Sequence, residues 1–305
     1  MTLEQRMENF VRLALDRGLR IEGIAAADEK TLLFHHHFTA DQPRNIYSHT
    51  KSYMATAVGM AIADGALHLD DTLASFFPEK LPEHPSEELL SIRLRDLLTM
   101  TSGFGGAFLM NDDRRAGTGA PDYVAYMLSL PVRETPGRRF CYSTADSILA
   151  GRMVEKAVGK SLSLYLFERL FSKLGQGFPL WDCCPQGHAI GGGGMFLSLT
   201  EMMKLGQLYL AGGVWNGERL VEESWVREAT RLQIETDNPS DVWNCGYGYQ
   251  FWMLPYPGAY RADGAFGQIS AVLPEKGLVI AVQCPEDGDF EQVKLALHEE
   301  LLSQL

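Results

Sequence analysis

Ser48-His49-Thr50-Lys51 is the stretch of this 305-residue chain whose residue types and spacing best suit covalent chemistry. A serine and a lysine three positions apart share one face of a helix, so the lysine amine can hydrogen-bond the serine hydroxyl. The stretch lies where an irregular segment, residues 41–46, gives way to apolar residues near helical spacing, Met54, Val58, Ile62 and Leu67. At the first turn of a helix, unpaired N–H groups and the positive end of the dipole favour an oxyanion nearby. The chemistry is attack of Ser48 on a carbonyl carbon. An ordinary lysine is protonated at neutral pH, so Lys51 can serve as a base only if burial or a cationic neighbourhood lowers its pKa. A second proton carrier would help, and Tyr142, in Cys141-Tyr142-Ser143-Thr144 ahead of a helical run from Ala145, can relay the proton to the leaving group. Taken alone, S-x-x-K arises by chance in many chains, and its plainer account is a helix-capping serine beside a solvated lysine.

The surrounding segments change that balance. The chain carries Leu94-Arg95-Asp96-Leu97-Leu98-Thr99-Met100-Thr101-Ser102-Gly103, the tyrosine segment running to Gly151, and Gly192-Gly193-Gly194-Met195-Phe196-Leu197-Ser198. These are followed by Gly206-Gln207-Leu208-Tyr209-Leu210, Gly212-Gly213-Val214-Trp215-Asn216-Gly217 and Ala262-Asp263-Gly264-Ala265-Phe266-Gly267-Gln268. In this order, with Ser48-His49-Thr50-Lys51-Ser52, they resemble the serine β-lactamase and penicillin-binding-protein superfamily, particularly its class C-like branch of esterases, D-amino-acid peptidases and nylon-oligomer hydrolases, from about residue 44 to 284. The resemblance implies a Ser48 acyl-enzyme formed with Lys51 and Tyr142 as the acid/base pair and hydrolysed by water. It implies an oxyanion hole of the Ser48 and Ala265 N–H groups, the latter after Gly264, where a side chain would block the substrate's approach.

Departures from the family pattern bear on the substrate. Where β-lactamases close the tyrosine motif with an asparagine that binds the substrate amide, this chain has Thr144. The third motif, which usually offers a basic or polar residue and then a hydroxyl residue before its glycine, reads Ala262-Asp263-Gly264. Alanine cannot bind a carboxylate, and an ionised Asp263 near the pocket would repel one. A small ester or amide without that carboxylate is therefore the expected substrate. The alternatives are a D,D-peptidase or β-lactamase, and a non-catalytic binding or sensory module that kept the pocket.

The elements that must position these groups read as α/β (α+β). Residues 1–19 place apolar side chains at helical spacing. Runs 20–27 and 31–38 read as a hairpin split by the polar turn Asp28-Glu29-Lys30, and residues 47–67 as a helix. Further helices are expected at 91–100, 122–129, 145–158, 164–173, 200–211 and 222–229. Strands return at 247–254, 260–263, 267–274 and 278–284, before a last helix at 289–302. Strands at both ends with helices between them predict one antiparallel sheet built from the two termini and flanked by helices, with an inserted, mainly helical lobe. The expected division is 1–64 with 236–305 as the sheet domain and 65–235 as the lobe.

Bulk properties exclude some partners. A net charge of −12 without a Lys/Arg run argues against nucleic acid and anionic lipid surfaces. No apolar stretch approaches the ~18 residues of a membrane span, and the acidic first helix lacks the pattern of a signal peptide, so a cytoplasmic location is expected. Five cysteines without paired spacing fit reduced thiols, and adjacent Cys183 and Cys184 read as packed side chains. The glycine run 191–194 lacks the spacing of a dinucleotide loop and reads as a tight turn, and no cofactor is expected. In His35-His36-His37 only His35 and His37 can share a strand face, so no metal site is expected. His188 reads as a surface or packed histidine, and Asp96 as an anchor for the turn before Gly103. Trp215, Trp243 and Trp252 read as packing, with an apolar acyl pocket as the alternative.

Overall fold

The computed structural model describes residues 1–305. Six strands, Gly23–Ala27 (β1), Leu32–His37 (β2), Trp252–Met253 (β3), Tyr260–Gly264 (β4), Gln268–Leu273 (β5) and Leu278–Gln283 (β6), pair antiparallel in the order β2-β1-β6-β5-β4-β3. The sheet is thus drawn from both ends of the chain. Side chains alternate between its two faces, and the residues follow that period. Ile24, Ala26, Ile280 and Val282 join a buried cluster of 21 residues on one face. Ala25, Ala27, Val279 and Ala281 join a cluster of 61 on the other.

The smaller cluster is closed by the terminal helices. Leu3–Asp16 (α1) opens on a reciprocal cap, in which Thr2 accepts the Gln5 N–H at 3.3 Å and Gln5 Oε1 accepts the Thr2 N–H at 2.9 Å. It buries Met7, Phe10, Val11 and Ala14 beside Val293 and Ala296 of the helix Phe290–Ala296. The larger cluster runs from the opposite face into the helical lobe. Helix Thr50–Ala63 (α2) is buried from Thr50 to Ala61, as a helix with no dominant polar face must be. It packs against Thr144–Val158 (α4), while Leu199–Leu210 (α5) lies on the sheet, with Gly206 letting the Val279 side chain approach. Leu94–Leu98 (α3) also packs against α4. All five cysteines are free thiols, and no helix is long and apolar enough to cross a membrane.

Several boundaries differ from those expected, each for a tertiary reason. The strand expected over 247–254 shortens to β3. Gly248 is pressed so closely against the Ala229 carbonyl that a Cβ would not fit, and Gln250 has a φ of 64°, so the segment bends instead of extending. The helix expected over 91–100 divides, because Ile92 and Arg93 turn extended, Arg93 bridging Thr72 and Ile92 accepting the Leu73 N–H at 2.8 Å. The helix expected from residue 47 begins as a 3-10 turn, Tyr47–His49, so Ser48 stands just ahead of α2.

Candidate active site

Ser48 is placed by constraints on both sides of it. Upstream, Arg44–Asn45 pairs with Met195–Leu197 of a small three-stranded sheet, and Ile46 donates its N–H to Met195 O at 2.8 Å. The Asn45 side chain accepts the Tyr47 N–H at 2.9 Å, and Tyr47 takes a φ of 47° to turn the chain into the 3-10 segment. Downstream, fully buried His49 meets Ser270 Oγ of β5 at 2.9 Å through Nε2. The turn is thereby held at the seam between the sheet and α2, with Ser48 partly exposed.

Lys51 lies in the first turn of α2 and is inaccessible to solvent. Its Nζ is 3.1 Å from Ser48 Oγ, 2.6 Å from Gly192 O and 3.4 Å from Thr144 Oγ1. Burial pushes its pKa down to about 7. The Arg114 guanidinium lowers it too, and Asp146 opposes the shift. A neutral amine that donates to the Gly192 carbonyl still has its lone pair to offer Ser48.

Tyr142 sits in an extended segment tied down by its neighbours, with Cys141 donating to Met100 O at 2.8 Å. The phenol ring stacks on Trp252 at 5.6 Å between centroids and meets Tyr247 edge-on at 6.3 Å. Lys51 Nζ lies 5.0 Å from the ring centroid. Burial raises the phenol pKa well above its usual value, and the Ser48 side chain acts in the opposite sense. The Lys51 amine thus lies within reach of the Ser48 hydroxyl and beside the Tyr142 ring, with the amine able to be neutral and the phenol protonated.

The opposite wall is the turn after β4. Tyr47 packs edge-on against Phe266 at 5.0 Å, which brings this turn beside Ser48. Ala265 in the turn donates its N–H to no acceptor within the protein, leaving a donor free beside the nucleophile. A Cβ at Gly264 would overlap the Ile46 carbonyl oxygen, so the glycine lets the strand pack against the backbone entering the Ser48 turn.

A family model described as Beta-lactamase matches residues 11–302. The chain belongs to the Beta-lactamase family. It is 24% identical over 304 residues to penicillin-binding protein 4 of Amycolatopsis lactamdurans, covering 88% of this chain and 78% of that one. Among solved structures it is similar to a penicillin-binding protein from Bacillus halodurans, with a TM-score of 0.74, 18% identity and coverage of 96% and 100%. It is also similar to EstCE1, described as a hydrolase with promiscuous acyltransferase activity, with a TM-score of 0.71, 17% identity and coverage of 92% and 93%. Both solved structures share this chain's fold.

Three residues at this Beta-lactamase-family site escape sequence reasoning. Arg114, at the end of the short helix Asn111–Arg115, is partly buried without a salt bridge, its Nη1 donating to Leu109 O at 2.6 Å. Asp146, in the first turn of α4, is 1% exposed. Arg261, 2% exposed, is wedged between Trp243 and Trp252 at 5.0 and 5.3 Å from their centroids, and its Nε donates to Asp263 Oδ2 at 2.7 Å. Asp263, expected as an ionised group near the pocket, is thus paired with a guanidinium. Ala262 points to the other face of β4 and joins the larger core, offering only a methyl group, and Thr144 Oγ1 donates to Met110 Sδ at 3.2 Å.

The remaining candidates fall elsewhere or into packing. His188 meets Glu155 Oε2 at 2.9 Å, away from Ser48. Asp96 accepts the Arg93 N–H at 2.8 Å and so caps the start of α3, and Trp215 belongs to the small hairpin with Glu218–Arg219. Gly191 packs on Ser147 O more tightly than any side chain allows. His35 and His37 face each other at 5.6 Å on edge strand β2, and no group of three or more potential metal ligands comes together.

Proposed function

We propose that this chain is a serine hydrolase that acts on esters or small amides through an acyl-enzyme at Ser48. The observation that carries the reading is the buried Lys51 amine, with its pKa brought down to about 7, at 3.1 Å from Ser48 Oγ. As Oγ attacks the carbonyl carbon, the neutral amine takes the hydroxyl proton, and the oxyanion forms against the Ser48 and Ala265 N–H groups. Tyr142 gives its proton to the departing alcohol or amine and recovers one from the Lys51 ammonium, which returns both groups to their starting states. Water then attacks the acyl carbon while giving a proton to the same pair, and the bond to Ser48 Oγ breaks as the pair returns a proton to that oxygen and the acid departs. Each proton-transfer partner is expected to contribute ~10²–10⁴-fold to the rate.

The substrate class follows from what borders the cleft. Ala262 offers no cation to a carboxylate, and Thr144 stands where β-lactamases hold an amide-binding asparagine. The solved relative described as a hydrolase with acyltransferase activity supports acyl transfer of this general kind. A fluorophosphonate probe should label Ser48, and p-nitrophenyl acetate should give a burst that Ser48→Ala abolishes while the fold survives. Nitrocefin should be hydrolysed slowly or not at all. An unlabelled Ser48 in the folded protein would overturn the proposal.

A further inference from the structure

Arg114 has donors to spare at the edge of the Ser48 cleft. Its guanidinium is partly buried, makes no salt bridge and gives Nη1 to Leu109 O at 2.6 Å. Leu109 is fully buried with a φ of 52°, a left-handed conformation unfavourable for leucine, so the carbonyl that holds the guanidinium is set by a strained bend. Both neighbours of Leu109 tie this bend to the tyrosine segment. Phe108 accepts the Ala145 N–H at 3.0 Å and donates its own to Ser143 Oγ at 3.1 Å, while Met110 Sδ accepts from Thr144 Oγ1 at 3.2 Å. Thr144 Oγ1 lies 3.4 Å from Lys51 Nζ, and Lys51 Nζ lies 3.1 Å from Ser48 Oγ. The Nε and Nη2 atoms of Arg114 have no acceptor within the protein and are not sealed from solvent. That free edge is the fork that grips a carboxylate through two parallel hydrogen bonds. Nearby acids leave it open: Asp113 is spent on the Met110 N–H at 2.9 Å, and Asp182 is exposed. Burial works against the charge, and Tyr123, Asp182 and Asp113 restore only part of the loss.

We infer that Arg114 is the receptor for a carboxylate at the far end of the substrate's acyl chain, which makes the substrate a monoester or monoamide of a short dicarboxylic acid. The inference rests on the acyl-enzyme reading for the place of the scissile carbonyl. With the carbonyl oxygen against the Ser48 and Ala265 N–H groups and the leaving group toward Tyr142, whose ring lies on Trp252, the acyl chain takes the remaining direction, past Thr144 and Met110 to Arg114. This carboxylate is distinct from the one the third motif would have held. On that side Ala262 offers no charge and Arg261 is closed by Asp263, so an anionic substrate finds its cation on the helical lobe.

The mono-p-nitrophenyl ester of adipic acid and its methyl-capped counterpart differ only in the distal charge. At about pH 9, with Lys51 neutral, the wild type should favour the anionic ester in kcat/KM by ~10-fold or more, as a charge-assisted, two-bond contact does. Arg114→Gln should bring that ratio to about one, with the loss in KM, and Arg114→Lys, a point charge without the fork, should give an intermediate ratio. A ratio of two substrates on one enzyme cancels any change in Lys51 or in the amount of folded protein. The wild-type comparison also stands alone should Arg114→Gln fail to fold. Adipate titrated calorimetrically into Ser48→Ala reads the site without turnover, and adding Arg114→Gln should weaken its binding by ~10-fold or more. A protein inert toward both esters that still binds adipate through Arg114 would sink the hydrolase reading and leave the anion site standing. Equal kcat/KM for the two esters in the wild type, a preference that survives Arg114→Gln, or adipate binding indifferent to Arg114 would overturn the inference.

Discussion

Lys51 Nζ sits closer to the Gly192 carbonyl, at 2.6 Å, than to Ser48 Oγ, at 3.1 Å. The carbonyl fixes the direction of the amine, so the lone pair of the neutral form points where the serine needs it. An ammonium in the same place would spend its protons on Gly192, Thr144 and Ser48 and have nothing with which to accept.

The first expected outcome concerns that protonation state. Because the competent amine is the deprotonated one and its pKa lies near 7, the burst rate should fall about tenfold for each pH unit well below 7. Lys51→Arg should lose ~10²–10⁴-fold at every pH, since a guanidinium does not deprotonate in this range. Stopped-flow measurement of the p-nitrophenolate burst checks both. A Lys51→Arg variant with undiminished acylation would remove the lysine from the proton path.

Arg114 lowers the Lys51 pKa by placing a second positive charge near a buried amine. Arg114→Gln should let the ammonium persist to higher pH, moving the acylation midpoint upward and slowing the p-nitrophenyl acetate burst far more at pH 6 than at pH 9. The pH–rate profile therefore distinguishes electrostatic tuning of Lys51 from general damage, which would depress it equally at all pH values.

How much of this was legible in the residues alone depends on how local each constraint is. The Ser48–Lys51 relation is, because a three-residue step places both groups on one face whether the serine starts an α-helix or a 3-10 turn. The sheet's origin in both termini was also legible, from the return of period-two patterning after residue 247. Tyr142 was legible as a candidate proton carrier ahead of a helical run and gained weight from the family motif, but nothing in its neighbourhood of the chain says that Trp252 and Tyr247 will pack against its ring beside Lys51. Arg114, Asp146 and Arg261 were not legible as site residues. Each looks like an ordinary surface charge in sequence, and only the tertiary packing reveals that Asp146 is buried or that Asp263 has acquired a partner. The same holds for Gly264, whose constraint is a carbonyl oxygen more than two hundred positions upstream.

Gly264→Ala tests that last constraint. The added methyl group collides with Ile46 O, which is backbone and cannot swing aside, so the strand edge or the Ser48 turn must move. A loss of ~1–3 kcal/mol in unfolding free energy is expected, together with a fall in acylation rate larger than the stability loss explains, because Ile46 is two residues from the nucleophile. Denaturant unfolding and burst kinetics on one preparation separate the two effects. If the substrate's path were the real constraint, KM would rise with stability unchanged.

His49 makes a prediction about acid. It is fully buried beside the nucleophile, its Nε2 is engaged with Ser270, and its Nδ1 has no partner, so burial pushes its pKa down to about 3. The unfolded chain binds a proton at this residue near pH 6.5, and the folded protein does not until far lower. The folded pKa is the depressed one, so the stability associated with neutral His49 is intact above 6.5 and is lost progressively as pH falls from there toward 3. At the acid end the loss is at most ~5 kcal/mol. His49→Gln, which can still reach Ser270 and never charges, should flatten this part of the stability profile between pH 6.5 and 4 while costing ~1–3 kcal/mol at pH 7 for altered packing. Thermal unfolding of both proteins across that range is the measurement. Parallel acid-destabilisation curves would mean that protonation of other groups drives acid unfolding and that His49 takes no part in it.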